Sequence, residues 1–360
     1  MIESRAMTRN SGLDQPASRS NAVIAEDARD LRFVRAVYAD LTGRAPLPDE
    51  WAAARGKNRA EFVTALAGSQ QFWEAWYEEL LFYFLLIDNF RPSTDVFAAL
   101  PVHLSQRKTD VRNAVRTVVS SQFFNARNPG NDTFVTVVLE QLLGLTVQKE
   151  KATLEAGKKM YDGKSVRFLK KKGANQSDLV RIVVEHDQFE RFLLARHHQA
   201  LFGVEANLKE LRPAIDRMRA DPHQLPAVLA QWLSSQAYED RLQKLRPKSD
   251  RLFVRSLFVD LLGRIPTYQE YRRCRNALLA LSDSGPLRNV VIKLVLDSGM
   301  AKIALDGAAS DFTQRQFRRF LCREPSQEEE AAFVTELKSG SCSPELLVRA
   351  LLTHWEYQHY

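Results

Sequence analysis

The densest cluster of potentially reactive side chains in this 360-residue sequence is cationic: Lys158, Lys159, Lys164, Arg167, Lys170, Lys171 and Lys172 crowd into residues 157–173, with Tyr161 and Phe168 between them. Cations at this density neutralise phosphates and the rings could stack on bases, so the chemistry would be recognition of nucleic acid or of an acidic protein face. Gly157, Gly163 and Gly173 predict a loop with room for one helical turn, and such a charged insertion is by itself an ordinary solvated loop.

Acid–base and metal chemistry have thinner support. Glu356 and His359 have the Glu-x-x-His spacing of carboxylate-bridged metal sites in helical bundles, but no second copy faces them. Glu74, Glu78 and Glu79 flank aromatic residues without a matching histidine-bearing helix, and read as solvated carboxylates at the edge of a core helix. His186-Asp187 and His197-His198 are of the right type for proton transfer, yet neither is coupled to a Cys or Ser nucleophile in a recognisable pattern. No G-x-S-x-G, H-E-x-x-H or Walker-type loop occurs. The expectation is therefore no catalytic residue, no metal and no cofactor.

Arg44, Arg264 and Arg323 recur after a helix stop, with Arg91 close to the same place. They could be repeated contacts for a carboxylate or phosphate ligand. The expected role is structural, bonding free carbonyls at the helix end or pairing with an acid such as Asp40 or Asp260.

The elements that carry these arginines follow one pattern. In RLFVRSLFVDLLGRIPTYQE (251–270) the apolar residues fall on a period near 3.6, Gly263 can take the left-handed conformation that ends a helix, and Pro266 blocks continuation. Thr267 and Glu270 then have the spacing of a capping box that starts the next helix. A first copy, at 33–51, places Gly43, Arg44, Pro46 and Glu50 in matching positions, with Leu47 where the capping hydroxyl would be. A last copy, at 312–330, matches at Arg323, Pro325, Ser326 and Glu329, with Cys322 in place of the glycine. Fainter copies lie at 80–97, which keeps Arg91, Pro92 and Ser93, at 134–150 and at 196–210.

A second signature alternates with the first: an apolar helix ends on a small or polar residue, with an aromatic three positions later. It reads Ser69 to Phe72, Ser121 to Phe124, His186 to Phe189, Ser235 to Tyr238 and His354 to Tyr357, with Ser298 in a copy that has lost its aromatic. Self-similarity at about 50 residues marks stacked supersecondary units, none able to bury its apolar face alone.

The Leu-x-Gly-Arg-x-Pro stop, Thr/Ser-x-x-Glu restart and Ser-x-x-Phe/Tyr close resemble a bacterial helical repeat domain of unknown function found in surface and secreted proteins. That domain is distantly similar to phycobilisome linker domains and to helical domains of planctomycete-type cytochrome-associated proteins. The resemblance implies roles in interaction and assembly and carries over no catalytic residue. The chain departs from it by lacking a secretory signal and a C-x-x-C-H haem attachment site.

Composition agrees with an all-α protein: alternating β-branched runs are nearly absent, and Pro and Gly lie mainly at helix breaks. Cys274, Cys322 and Cys342 form no metal or disulfide framework, which favours a reducing, cytoplasmic compartment. The apolar run 80–87 is too short to span a bilayer and reads as a central buried helix. A net charge of +7 permits an anionic partner without demanding one.

The predicted architecture is an all-α array of about six degenerate helical-pair units, stacked into an elongated or bundle-like body. Residues 1–28 form a disordered leader. Units one and two fill 29–127, three and four fill 128–246 with the basic insertion at 157–173, and five and six fill 247–360. The predicted function is a non-enzymatic scaffold that binds another protein. A nucleic-acid-binding array using the insertion is the alternative, and an enzyme with an unrecognised helical-bundle site a second alternative.

Overall fold

The computed structural model describes residues 23–25, 27–88 and 95–360, so most of the expected leader, and Arg91, Pro92 and Ser93, lie outside the described residues. The fold is all-α, an array of stacked helical units. Unit one contains α1 (Ala28–Thr42), α2 (Pro48–Ala54) and α3 (Arg59–Ala67); unit two contains α4 (Gln70–Leu85), α5 (Asp95–Ser105) and α6 (Val111–Val119), followed by the short α7 (Gln122–Arg127). Unit three has α8 (Gly130–Leu143), α9 (Lys151–Tyr161), strands β1 (Val166–Phe168) and β2 (Lys171–Gly173), and α10 (Gln176–Val184). Unit four has α11 (Asp187–Phe202), α12 (Leu208–Ala220), α13 (Leu225–Leu233) and the short α14 (Gln236–Leu242). Units five and six are α15 (Asp250–Leu262), α16 (Tyr268–Leu278) and α17 (Gly285–Asp297), then α18 (Ala309–Leu321), α19 (Gln327–Ser339) and α20 (Pro344–Thr353). A third helix thus completes each helical pair.

The long first helices end as their sequences require. Gly43 and Gly263 adopt φ of 64° and 65°, a conformation that only glycine reaches without a steric penalty. Cys322 takes the same conformation, φ 54°, at a cost of about 1–2 kcal/mol for an L side chain. Thr267 and Ser326 accept from the N–H groups of Glu270 and Glu329, whose carboxylates accept in return from the capping residues' own N–H groups. At Leu47 only the carboxylate half survives, Glu50 accepting from the Leu47 N–H at 2.7 Å.

The second signature caps the following helix. Ser69, Ser121 and Ser235 accept from the N–H groups of Phe72, Phe124 and Tyr238, and these rings turn into the core. At the junctions of units one and two, and of three and four, the capped helix runs on unbroken, so α4 and α11 each close one unit and open the next. Asn128 and Pro129 interrupt the corresponding helix between α7 and α8, and residues 243–249 interrupt it between α14 and α15.

Two apolar cores result, one drawing on residues 24–242 and one on residues 253–357. Full burial of side chains such as Phe124, Phe134, Phe253 and Phe317 contributes roughly 1.5–3 kcal/mol each. The expected central helix at 80–87 is buried on one face only: Leu80, Leu81, Phe84 and Leu85 lie in the core, while Phe82 and Leu86 are exposed. Among the described residues no helix is long and apolar enough to cross a membrane.

The basic insertion is not the loop that its glycines predict. α9 continues through Gly157 to Tyr161, and the chain then forms an antiparallel hairpin with Arg167 opposite Lys172 and Phe168 opposite Lys171. A Cβ on Gly157 would lie 2.5 Å from a methyl of Val135 and 3.1 Å from the Phe168 ring, so this glycine allows α9 to approach α8 closely instead of making a turn.

Candidate functional site

The recurrent arginines make one contact three times. Arg44 donates to both carboxylate oxygens of Glu50 at 2.6 Å, Arg264 to Glu270 at 2.7 and 2.8 Å, and Arg323 to Glu329 at 2.7 and 2.8 Å. Each also donates to the carbonyl of the next residue. Their partner is therefore the capping-box glutamate, not Asp40 or Asp260. A forked guanidinium and a carboxylate six positions on clasp the turn between two helices and leave no fork for a ligand. The Arg264 and Arg323 hydrogen bonds pull the Glu270 and Glu329 carboxyls down to about 2. At Glu50 burial pushes upward, but the Arg44 and Leu47 hydrogen bonds outweigh it and the pKa is lowered.

The two aspartates belong to a buried seam between the cores. Asp260 accepts from Arg35 of α1, with one oxygen at 3.0 Å, and from the Tyr357 hydroxyl at 2.8 Å. Asp40 accepts from the Tyr238 hydroxyl at 2.7 Å, from Arg246 at 2.6 Å and from the Tyr360 hydroxyl at 3.0 Å. Tyr238 and Tyr357 are the aromatics of the second signature, and Asp40 and Asp260 stand three positions before the glycine of the first; the two signatures are tied by the same bond in both cores. Lys248, buried beside them, donates to the Tyr357 carbonyl, and its ammonium lies 3.8 Å from the Tyr357 ring centroid. Burial, reinforced by Arg35, holds the Lys248 pKa well below the usual lysine range. Spacing alone gave no sign of this seam, whose partners are up to 320 positions apart.

The remaining polar candidates also have local partners. Glu78 accepts from Arg251 and Arg255, both at 2.6 Å, Glu79 from Arg251 at 3.2 Å and Glu74 from Gln70 at 2.8 Å. Glu356 accepts from Arg323, and the Nδ1 of His359 lies 2.6 Å from the Trp355 carbonyl oxygen. His186 caps α11, accepting from the Gln188 N–H at 3.2 Å. His197 accepts from the Trp76 indole at 3.2 Å, and burial, with Arg196 alongside, pushes its pKa down to about 3, leaving a neutral ring. Among the described residues no group of three His, Cys, Asp or Glu could hold a metal ion. Cys274, Cys322 and Cys342 are free thiols.

Two surfaces remain. On α17, Val290 and Leu294 are 50% and 59% exposed, one helical turn apart. Counted back from the residue that closes each unit, the same two positions hold Glu61 and Ala65, Asn113 and Thr117, Asp178 and Ile182, Ala227 and Gln231, and Leu346 and Ala350. Unit five is thus the one that places two large apolar side chains there in exposed positions, and Leu346 is also exposed on α20, which packs against α17. Aligning the units on their closing residue would have exposed this difference in the sequence.

The second surface is the basic hairpin. Lys158 is bridged to Asp132 and Glu155, and Lys171 to Glu185, whereas the side chains of Lys159, Lys164, Arg167, Lys170 and Lys172 meet no partner among the described residues. Phe168 is fully buried, and Tyr161 packs against Phe134 with ring centroids 5.2 Å apart, so neither ring is presented for stacking. Comparison of the chain with protein-family models, with curated proteins and with solved structures finds no match.

Proposed function

We propose that the chain is a non-enzymatic scaffold, built from repeated helical units, that binds an amphipathic helix of another protein across α17 and α20. The observation that carries this reading is the exposed pair Val290 and Leu294, apolar where the corresponding positions of the other units are mostly polar or small. Half-exposed Val and Leu at i and i+4 give a partner helix an anchor, and burying what remains exposed would supply roughly 1.5–3 kcal/mol. The rim is charged in both signs, Lys293 and Asp297 on α17 and Glu345 and Arg349 on α20, which suits a partner helix of mixed charge. The motif resemblance to linker-like repeat domains points the same way, and three free thiols fit a reducing compartment.

The test is capture from the native lysate with wild type and with Val290→Glu/Leu294→Glu, after circular dichroism has established equal helicity. A defined protein retained by wild type and lost from the variant supports the reading. Identical recovery by both chains removes it.

A further inference from the structure

We propose that the β1–β2 hairpin and the end of α9 form a contact surface for the phosphodiester backbone of nucleic acid, read without base specificity. The surface keeps features that its own stability opposes. Arg167 and Lys172 face each other across the strands, and like charges directly opposite in a hairpin destabilise it. The two-residue turn is Leu169-Lys170, with φ of 46° and 67°, where Asn and Gly are strongly preferred. The neighbouring acids are already engaged: Asp132 and Glu155 by Lys158, Glu185 by Lys171, and Asp162 by Asn131. Five cations are left to solvent: Arg167, Lys170 and Lys172 on the hairpin, Lys164 in the connection before it and Lys159 on α9.

The same surface is ill suited to a protein partner. Protein contacts are anchored by buried aromatic and aliphatic side chains and are depleted of charge at their centres. Among the described residues no large hydrophobic side chain is exposed between positions 87 and 203. A surface with cations and no apolar anchor matches the phosphate backbone, where affinity comes from counterion release. With Phe168 buried and Tyr161 packed on Phe134, no ring is left to stack on a base.

The test is fluorescence anisotropy of the full chain with labelled DNA duplexes of two unrelated sequences, a single-stranded RNA, polyglutamate, and phosphatidylserine vesicles. The expected result is binding at about 50 mM salt that is indifferent to sequence, with a slope of log K against log salt steeper than about −3. Arg167→Gln/Lys172→Gln should flatten that slope by about 2 and weaken binding at least about tenfold at low salt. That variant relieves the cross-strand repulsion, so it should fold at least as stably as wild type, which separates lost contacts from lost structure. Val290→Glu/Leu294→Glu should bind nucleic acid as wild type does, so this surface and the α17 reading stand or fall separately. The proposal is overturned by absence of binding at low salt, by wild-type affinity in the glutamine variant, by strong preference for one sequence, or by equal or tighter binding to polyglutamate or vesicles.

Discussion

Arg44, Arg264 and Arg323 make one contact in three environments, and the environment decides what the contact contributes. Arg44 and Glu50 are both buried, so Glu50→Gln strands a guanidinium away from water and should cost about 3–5 kcal/mol in urea unfolding. Arg264 is 42% exposed, and Glu270→Gln should cost less than about 1 kcal/mol. The pH dependence follows from the lowered carboxyls. Glu270 and Glu329 fall from an ordinary 4.5 to about 2 on folding, so their stabilisation is complete above about pH 4.5 and is lost as the pH falls toward 2. Thermal melts should show Tm dropping across that window, with a shallower drop in Glu270→Gln/Glu329→Gln. These three arginines were legible in the sequence as parts of a turn, because their spacing from glycine, proline and capping residue recurs. Their acid was not identified: Asp40 and Asp260 lie nearer in sequence, but both point into the seam, and only folding of the turn brings the glutamate six positions on beneath the guanidinium.

Helix ends were the most readable elements, since Gly43, Gly263, Pro266, Thr267 and Ser326 each fix a local conformation by their own chemistry. Gly157 misled because a glycine that admits a neighbouring helix is indistinguishable in sequence from one that makes a turn. The two kinds separate on substitution. Gly157→Ala gains up to about 1 kcal/mol in helix propensity but drives a methyl into Val135, and should destabilise by about 1–3 kcal/mol net of that gain. Gly43→Ala has its nearest neighbour at 3.8 Å and should lose only the left-handed penalty, about 1–2 kcal/mol. Denaturant midpoints of the two variants, with hydrogen exchange of the 166–173 hairpin, check the assignment: only Gly157→Ala should raise exchange there. The face of α17 escaped the sequence reading for a different reason. Val290 and Leu294 fit a helical apolar pattern within their own unit, and only alignment with the other units marks them as unusual there; that they stay exposed is decided by packing between units.

The whole molecule is two apolar cores joined through a polar seam, and a seam of charges contributes differently from a shared core. Asp260→Asn leaves Arg35 buried without its carboxylate, a loss of about 3–5 kcal/mol concentrated between the cores. Calorimetry should therefore resolve two unfolding transitions in this variant where wild type shows one or a closer pair; a single transition at unchanged Tm would mean that the cores are coupled by something other than the seam. The all-α character of the chain could be anticipated from periodicity, because each helix is local. The seam could not, because Arg35 and Asp260 are 225 positions apart and neither stands out beside its neighbours.

The segment between the cores bears on how the molecule could be handled. Its Arg246 N–H and carbonyl pair with the Tyr360 backbone, its Lys248 N–H donates to the Gln358 carbonyl, and Arg246 reaches Asp40 across the gap. The peptide chain is thus one of several ties between the lobes, and Gln243 and Lys244, just before these bonds, are exposed. Two polypeptides divided at that point would each carry a complete apolar core and one half of a charge-coded seam. Co-expressed, they should reassemble without a covalent link, into a split pair whose reunion is tuned through a single aspartate, Asp260.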